Sequence, residues 1–527
     1  MNNFIKIGVF LDGRKVPFWV KRIIEAINKL DFVDLQLVCY TQELKAERYN
    51  KSIFYRLHEQ LEYLIFTNQI NYSRHVDISE FVEGLNEILI VSDRKSCLKE
   101  ISSFNLDVIL NFSAITLKNP DLVLARYGVW TCMLEYQNVV KESSNVYWAV
   151  VDLIPIINVV ISCSNDALGK KTIKHTSCLA TNFNLLMLNT VPALDLFAII
   201  IPRLLTKTYL NYFYNINYNQ NTISFINGAI NRPPPTNWQA IKNMLQIVMR
   251  YLSQRIFNNK TTKWFLMYKF SASSIPSNLK DYDLLLPGRD CFWADPFVQR
   301  VNDKNYLFIE EFSYKKGKGH IAYLEVDASG KVLKSETILE RPYHMSYPFV
   351  FDVHATKYMI PETSQNSTID LYQCIEFPGK WSFVMSLMDR VVAKDTTLFY
   401  HNNKWWMFTA IKETHKMSKH IELFLYYADT FKTTNWESHP LNPISTDIRC
   451  SRPAGKIFIN KGRIYRPSQD CSIRYGRALN ISEITKLSET EYEEVLISKI
   501  EAERYPNLKG IHTFNSDNNL SVVDAYH

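Results

Sequence analysis

Two alternating patterns open the chain. "FIKIGVFLD", residues 4–12, is apolar almost throughout, as expected of a strand buried on both faces of a parallel sheet. "VPFWVKRIIEAINKL" then repeats apolar residues every three or four positions, the spacing of one helix face, with Pro17 tolerated in the first turn. Strands "VDLQLVCYT" and "NEILIVS", the helix-like "SCLKEISSF" and the strand "LDVILNFS" continue the series. This βα repetition predicts an open sheet with helices on its faces and ligands beyond the carboxyl ends of its strands. Asp12-Gly13 stands at one such end and reads most simply as a turn and helix cap. Neither GxGxxG nor GxxxxGK[ST] occurs, so a dinucleotide fingerprint and a P-loop are both unsupported.

The second half follows a different rule. "ADPFVQRVNDKNYLFIEE", "SYPFVFDVHATKYMIPET", "KDTTLFYHNNKWWMFTA", "SRPAGKIFINKGRIYRPSQD" and "KGIHTFNSDNNLSVVDAY" are each a short strand, a polar turn and a second strand. They recur roughly every 50–60 residues, the length of a four-stranded blade. Five blades predict a five-bladed β-propeller. The last repeat is short of strands, and "TKWFLMYKFS", before the first repeat, is expected to complete it and lock the ring.

In a propeller the innermost strands line the central channel. Asp295, Tyr347, Asp395, Arg452 and His512 should therefore converge on one axis, with Glu310, Glu311, Glu362, Gln469 and Asp470 at the ends of the next strands. Asp295 and Asp395 are also ordinary strand-start residues, and water-filled channels are polar, so punctuation of strands is the competing reading. Arg452, Arg466 and Arg474 suit a phosphate or a carboxylate, or else hold Asp470 or Asp295 in structural ion pairs.

Between the halves, "NYFYNINYNQNTISFINGAINRPPPTN" with Pro233–Pro235 marks a boundary. The predicted layout is an α/β domain over 1–205, a linker and amphipathic helix over 206–261, and an all-β propeller over 262–527. In that helix Ile241, Met244, Leu245, Val248, Leu252 and Ile256 form one stripe, with Lys242, Arg250, Arg255 and Lys260 beside it. Such a helix docks between domains or makes peripheral contact with a membrane.

Composition changes little. At 527 residues, 46% hydrophobic and 21% charged, the chain is ordinary globular material for two large domains or three smaller ones. A net charge of +7 is mild, and no zinc-finger or RNA-binding signature accompanies it, so no nucleic-acid partner is expected. Nine cysteines without CxxC spacing imply reduced thiols. The start of the chain has no signal-peptide pattern, and Asp195 and Pro202 interrupt the most apolar stretch, "VPALDLFAIIIPRLL". The expected location is the cytoplasm, with the inner face of a membrane as an extension. His344, His354, His401 and His512 share no metal-ligand spacing, so no metal is predicted.

Three resemblances extend this. "LDVILNFSAITLKNPDLVLARYGVWTCMLEY" with "NVVISCSNDALGKKTIKHTSCLA" resembles the formyltransferase-like (Rossmann-type) fold over about Ile5 to Arg203. Active members of that family carry an Asn-x-His pair and a later Asp. Here Gly128 to Glu135 holds no histidine, and Asp152 is the one candidate for the third member. "WADPF" with "KDTTLF" resembles the five-bladed furanoside enzymes, which implies Asp295 as base or nucleophile and Asp395 as the orienting carboxylate. Their acid is missing: Ser451-Arg452-Pro453-Ala454-Gly455 stands where Glu-Gly-Pro would be expected, which leaves Glu362 as the substitute. "FWADPF", "SYPFVF", "DTTLF", "SRPAG", "YRPSQDCS..YG" and "GIHTFN", in order from Lys263 to His527, resemble the propeller of plant glucosamine inositolphosphorylceramide transferases and their bacterial relatives. That likeness implies sugar-related work in surface-polysaccharide or glycolipid assembly.

The candidate catalytic residues are thus Asp295, Asp395 and Glu362. The candidate ligand contacts are Arg452, Arg466, Asp470, Tyr347, His512 and Trp293. No particular cofactor is indicated; a sugar nucleotide or sugar phosphate is the candidate donor. A glycosyltransferase or sugar-modifying enzyme is the leading expectation. The alternatives are a non-catalytic glycan-binding module and, third, a sugar N-formyltransferase. Oligomeric state is left open.

Overall fold

The structure is a computed structural model. It describes residues 4–41, 52–65, 74–90, 94–113, 124–136, 139–140, 144–164, 171–214, 233–257, 263–270, 275–276, 278–413, 421–517 and 519–527. The chain divides into two compact units, with the main boundary near residue 258.

The helices of the first unit are α1 (Phe18–Ile27), α2 (Ile53–Ile65), α3 (Ser79–Val82), α4 (Arg94–Ser103), α5 (Ser144–Val151), α6 (Met187–Tyr214) and α7 (Asn237–Phe257). Its main sheet runs in the order 171–180, 156–164, 129–136, 108–111, 5–11, 33–41, 86–90. The pairings from 129–136 through 86–90 are parallel, and the last two strands return antiparallel. Period-2 alternation sorts the central strand between two layers. Ile5, Ile7, Val9 and Leu11 pack on the side of α1, α5 and α6, while Phe10 joins Leu37, Ile88 and Ile101 on the side of α4. This is the expected α/β fold. The run Gly128–Glu135 lies in and just before the strand Val129–Tyr136, and Asp152 is exposed after α5.

Two expectations need correction. The apolar stretch with Asp195 and Pro202 is one continuous helix, α6, which runs past the boundary expected at 205. Asp195 is buried in an ion pair with Arg22, and Thr206 Oγ1 donates to the Pro202 carbonyl at 2.9 Å, so neither residue ends the helix. By length and composition α6 could cross a bilayer; here most of its apolar window is buried in the first unit. Likewise α7, expected as an amphipathic helix between the domains, packs within the first unit. Asn243 Nδ2 donates to the Tyr147 hydroxyl at 3.0 Å, and Arg250 caps the Phe183 and Val150 carbonyls at 2.7 and 3.2 Å. The face that α7 buries is Ala240, Asn243 and Ile247, whereas Leu245, Val248 and Leu252 of the expected stripe point outward. Side-chain burial of Ile256 lies outside the described residues.

The second unit is the five-bladed propeller. Blade one runs from Cys291 to Leu339 and blade two from Ser346 to Asp389. Blade three runs from Ala393 to Ser438 and blade four from Arg452 to Glu501. Blade five is composite: Gly510–Ser516 pairs with Leu520–Tyr526, which pairs with Trp264–Phe270, which pairs with Asp283–Leu285. The segment before the first repeat thus supplies two strands, one more than expected. Trp264–Phe270 is buried on both faces. Phe265 and Met267 pack toward blade four, and Leu266 and Tyr268 toward blade one.

Truncating this latch is expected to loosen the whole ring. Leu266 is fully buried. Leu266→Ala should cost about 2–5 kcal/mol, seen as a lower urea midpoint of the propeller transition. A change under about 0.5 kcal/mol would mean that the closing strand does not hold the ring.

Candidate functional site

The inner strands carry a shared irregularity. Register slips between Ala294 and Phe297, Ser346 and Phe349, Lys394 and Thr397, and Ile511 and Phe514. In the first three, the residue after the slip begins takes a left-handed backbone: Asp295 at φ 50°, Tyr347 at 45° and Asp395 at 52°. A non-glycine residue there is costly, and a bulge re-aims its side chain. In blade four the counterpart is Arg452, which is not left-handed, and the special backbone falls three residues later on a glycine. Gly455 has φ 135°, and a Cβ would lie 1.9 Å from the Phe514 carbonyl. Its N–H donates to the Tyr347 hydroxyl at 2.8 Å, which draws blades two and four together across the axis.

Four of the expected channel residues meet in two linked groups. The first ties blade one to blade five. Asp295 accepts from Thr513 Oγ1 at 2.7 Å and from the Tyr347 N–H at 3.1 Å, and its own N–H donates to Asp524 at 2.8 Å. His512 lies between the two carboxylates, 2.7 Å from Asp524 and 3.4 Å from Asp295. Burial opposes charge on His512, but Asp524 and Asp295 outweigh it and hold its pKa above the ordinary range. Asp295, His512 and Asp524 offer ligand atoms within 4.8 Å of one another, close enough for a cation. Asp524 is, however, already engaged by the N–H groups of Asp295, His512 and Thr513. That donor set fits a hydrogen-bonded knot better than a metal.

The second group centres on Arg452. Its Nε contacts Asp395, and its terminal nitrogen reaches Asp395 at 3.4 Å and Glu362 at 3.7 Å. Gln469 also donates to Asp395 at 3.2 Å. Lys394 and Ser364 hold the other oxygen of Glu362 at 2.8 and 2.7 Å. These neighbours drive the two carboxyls apart. Burial raises Asp395; Arg452 opposes this while Glu362 and Asp295 add to it, and the pKa settles at about 7. Burial also works against charge on Glu362, but Lys394 and Arg452 override it and hold the group at about 2. Glu310, buried 3.5 Å from His344, is pushed well up by burial and by Asp295, Glu362, Asp524 and Asp395. Gly319 makes room for it, since a Cβ would come within 2.6 Å of the Glu310 carboxyl and 2.8 Å of the His344 ring.

Around this pair stand groups that the sequence did not single out. Lys412 is lowered by burial and by neighbouring Lys394. The Arg452 guanidinium lies 4.8 Å from the centre of the half-exposed Tyr475 ring, and Tyr475 and Trp264 pack against His512 at 5.0 and 4.2 Å. Lys394 precedes Asp395 in "KDTTLF" and Tyr475 lies in "RYG", but nothing in either motif announces a rim.

Other expected contacts stand apart. Arg466 is fully buried in a two-pronged pair with Glu494 at 2.6 and 2.7 Å and also donates to the Cys450 carbonyl, so its role is structural and its partner is neither Asp470 nor Asp295. Asp470 is held by Lys499 at 2.7 Å. Arg474 bonds Glu503 at 2.7 Å. Trp293 donates to Glu311 at 2.9 Å, and Glu311 also meets His320 at 3.1 Å. Tyr347 is fully buried, its hydroxyl shared with Thr397 and Gly455; it braces the channel instead of facing a ligand.

Comparison with known proteins bears on the propeller as a whole. Residues 287–522 match the family model for the N-terminal part of glucosamine inositolphosphorylceramide transferase 1. The propeller resembles that family. The rice (Oryza sativa subsp. japonica) protein of that name is 33% identical over 210 residues, which is 39% of this chain and 28% of the rice protein. The Arabidopsis thaliana protein is 28% identical over 273 residues, 50% of this chain and 33% of its own length. The chain therefore spans about a third or less of the relatives it matches. Among solved structures, a family 117 glycoside hydrolase from Zobellia galactanivorans aligns with a TM-score of 0.34 at 12% identity, covering 50% of this chain and 90% of that one. A phosphoribosylglycinamide formyltransferase from Brucella melitensis aligns at 0.28 and 9%, covering 39% and 96%. The propeller assignment rests on its five sheets.

Two outcomes follow from the charges. Asp395 binds its proton more tightly folded than unfolded, so its contribution to stability is full below about pH 4 and is lost as the pH rises through about 7. Melting of Asp395→Asn from pH 4 to 8 should therefore show a weaker fall with pH than the parent; an identical slope would refute the assignment. Arg466→Ala, which strands Glu494, should cost about 3–5 kcal/mol in denaturant unfolding.

Proposed function

We propose that the propeller channel is a glycosyl-transfer site that uses a phosphorylated sugar donor in glycolipid or surface-polysaccharide assembly. The observation that carries this reading is the splitting of two neighbouring carboxyls around one guanidinium, with Glu362 at about 2 and Asp395 at about 7. Two groups so divided can do different work at neutral pH. Glu362 stays ionised and suits positive charge developing on a sugar ring. Asp395 lies near neutrality and can accept or return the proton of an acceptor hydroxyl. Arg452, Lys394 and Lys412 add the positive charge that a donor phosphate requires. The half-exposed Tyr475 offers a ring face to a sugar. The family likeness points the same way: the relatives' name joins glucosamine to a phosphorylated, lipid-linked acceptor. A cytoplasmic site at the inner face of a membrane accords with such an acceptor.

A second reading has its own observation. Glu362 and Asp395 are already engaged by Lys394, Ser364, Arg452 and Gln469, which is also the pattern of a closed structural cluster. The propeller would then hold a glycan for a partner enzyme. Formyl transfer is not put forward, because Gly128 to Glu135 holds no histidine to relay a proton.

Thermal shift with nucleotide sugars, sugar phosphates and free sugars separates the two. A phosphorylated donor should raise the propeller melting temperature by roughly 2–4 °C per kcal/mol of binding, and Arg452→Ala should abolish the rise. With that donor, Glu362→Gln should lower turnover by about 10²–10³-fold while the thermal shift persists. A shift with free glycans alone would favour the binding module.

A further inference from the structure

The helices α2 and α7 are built inside out. On α7 the residues turned into the unit are Ala240, Asn243 and Ile247; on α2 they are Tyr55, His58 and Glu62. Most of that inward set is small or polar, and its polar groups are satisfied. Glu62 accepts the N–H groups of Leu186 and Met187 at 3.1 and 2.9 Å and meets His58 at 3.0 Å. Both helices rest on Tyr147 of α5. Tyr55 packs edge-on to its ring at 5.0 Å, and Asn243 bonds its hydroxyl. Their orientation is therefore pinned, and their outward faces lie on one side of the unit.

Those outward faces are apolar. On α7, Trp238 is 82% exposed, Met249 66% and Leu245 56%. They fall on one helical stripe opposite the buried one. On α2, Ile53 is 60% exposed, with Leu57 and Leu61 one and two turns on. Soluble surfaces rarely gather so many large apolar side chains in one patch. Its fully exposed charges have one sign, and Glu59 of α2 is half-buried beside the Tyr55 hydroxyl. Lys242 and Arg56 are exposed and make no ion pair among the described residues, and the sequence of α7 contains no Asp or Glu. A two-fold pairing of this face would bring lysine and arginine toward their own kind with no carboxylate on α7 to meet them. Anionic headgroups complement both the cations and the apolar stripe, and an exposed Trp near one helix end suits the interface between headgroups and acyl chains.

We infer that the α2–α7 face docks on an anionic bilayer surface, with its apolar side chains in the interface and Lys242 and Arg56 among the headgroups. The site is independent of the propeller channel, and it would keep the first unit at a surface where lipid-linked acceptors reside.

Flotation of the intact protein tests it, with vesicles of phosphatidylcholine alone and with about 30% phosphatidylglycerol. The protein should float with the anionic vesicles, at least tenfold better than with the neutral ones. Leu245→Glu with Met249→Glu should cut that binding at least tenfold at an unchanged melting temperature, since both positions are exposed. Lys242→Glu, a milder change, should lower it several-fold. Failure of the parent to float, or equal flotation of parent and variants, would overturn the proposal. So would light scattering that shows a dimer which the double variant dissociates, because a second copy would then cover the face. Glu362→Gln should float like the parent, so loss of channel chemistry and loss of docking are read separately.

Discussion

Everything in the second unit depends on the pairing of Trp264–Phe270 with Leu520–Tyr526. Five sheets make a channel only when the ring closes, and this ring closes by bringing two strands from before the first blade onto the last hairpin. The alternating side chains of that strand pack on blade one and blade four at once. A second tie lies on the axis, where Asp295 of blade one is bonded to Thr513 and Asp524 of blade five. The residues of the site therefore cannot assemble in part; they share the cooperativity of closure.

Within the closed ring, electrostatics is governed by one cation. That cation is Arg452, at the start of blade four. The guanidinium meets Asp395 and Glu362 together. Lys394 adds to Glu362 but not to Asp395, so the same burial leaves one carboxyl ionised and the other near neutrality. Glu310, with four carboxyl neighbours and a partly exposed histidine, His344, as its ion-pair partner, goes further toward the neutral form.

The first unit departs from its family likeness in a compatible way. Its sheet is that of an open α/β domain, but the strand Val129–Tyr136 lacks the histidine of formyl transfer. What it offers instead is an outward apolar surface on α2 and α7, held in place by a satisfied polar interior.

The sequence by itself determined both fold classes, the five blades and the borrowed closing strand, because periodicity and repeat length are local properties of the chain. It also marked Asp295, Asp395, Glu362, Arg452 and His512, since each falls at or near a strand start or end, where a propeller turns side chains toward its axis. It could not tell Arg452 from Arg466. Both lie in the fourth repeat, yet one faces Asp395 and the other is neutralised by Glu494, a residue two strands away whose approach only sheet pairing decides. It could not show that Tyr347 braces the channel, because its partners Thr397 and Gly455 come from two other blades. Nor could helical periodicity say which side of α7 is inside. The apolar stripe is the usual inward face, and here Asn243 found Tyr147 and Arg250 found two free carbonyls, so hydrogen bonds between distant segments set the orientation that hydrophobicity alone would have reversed.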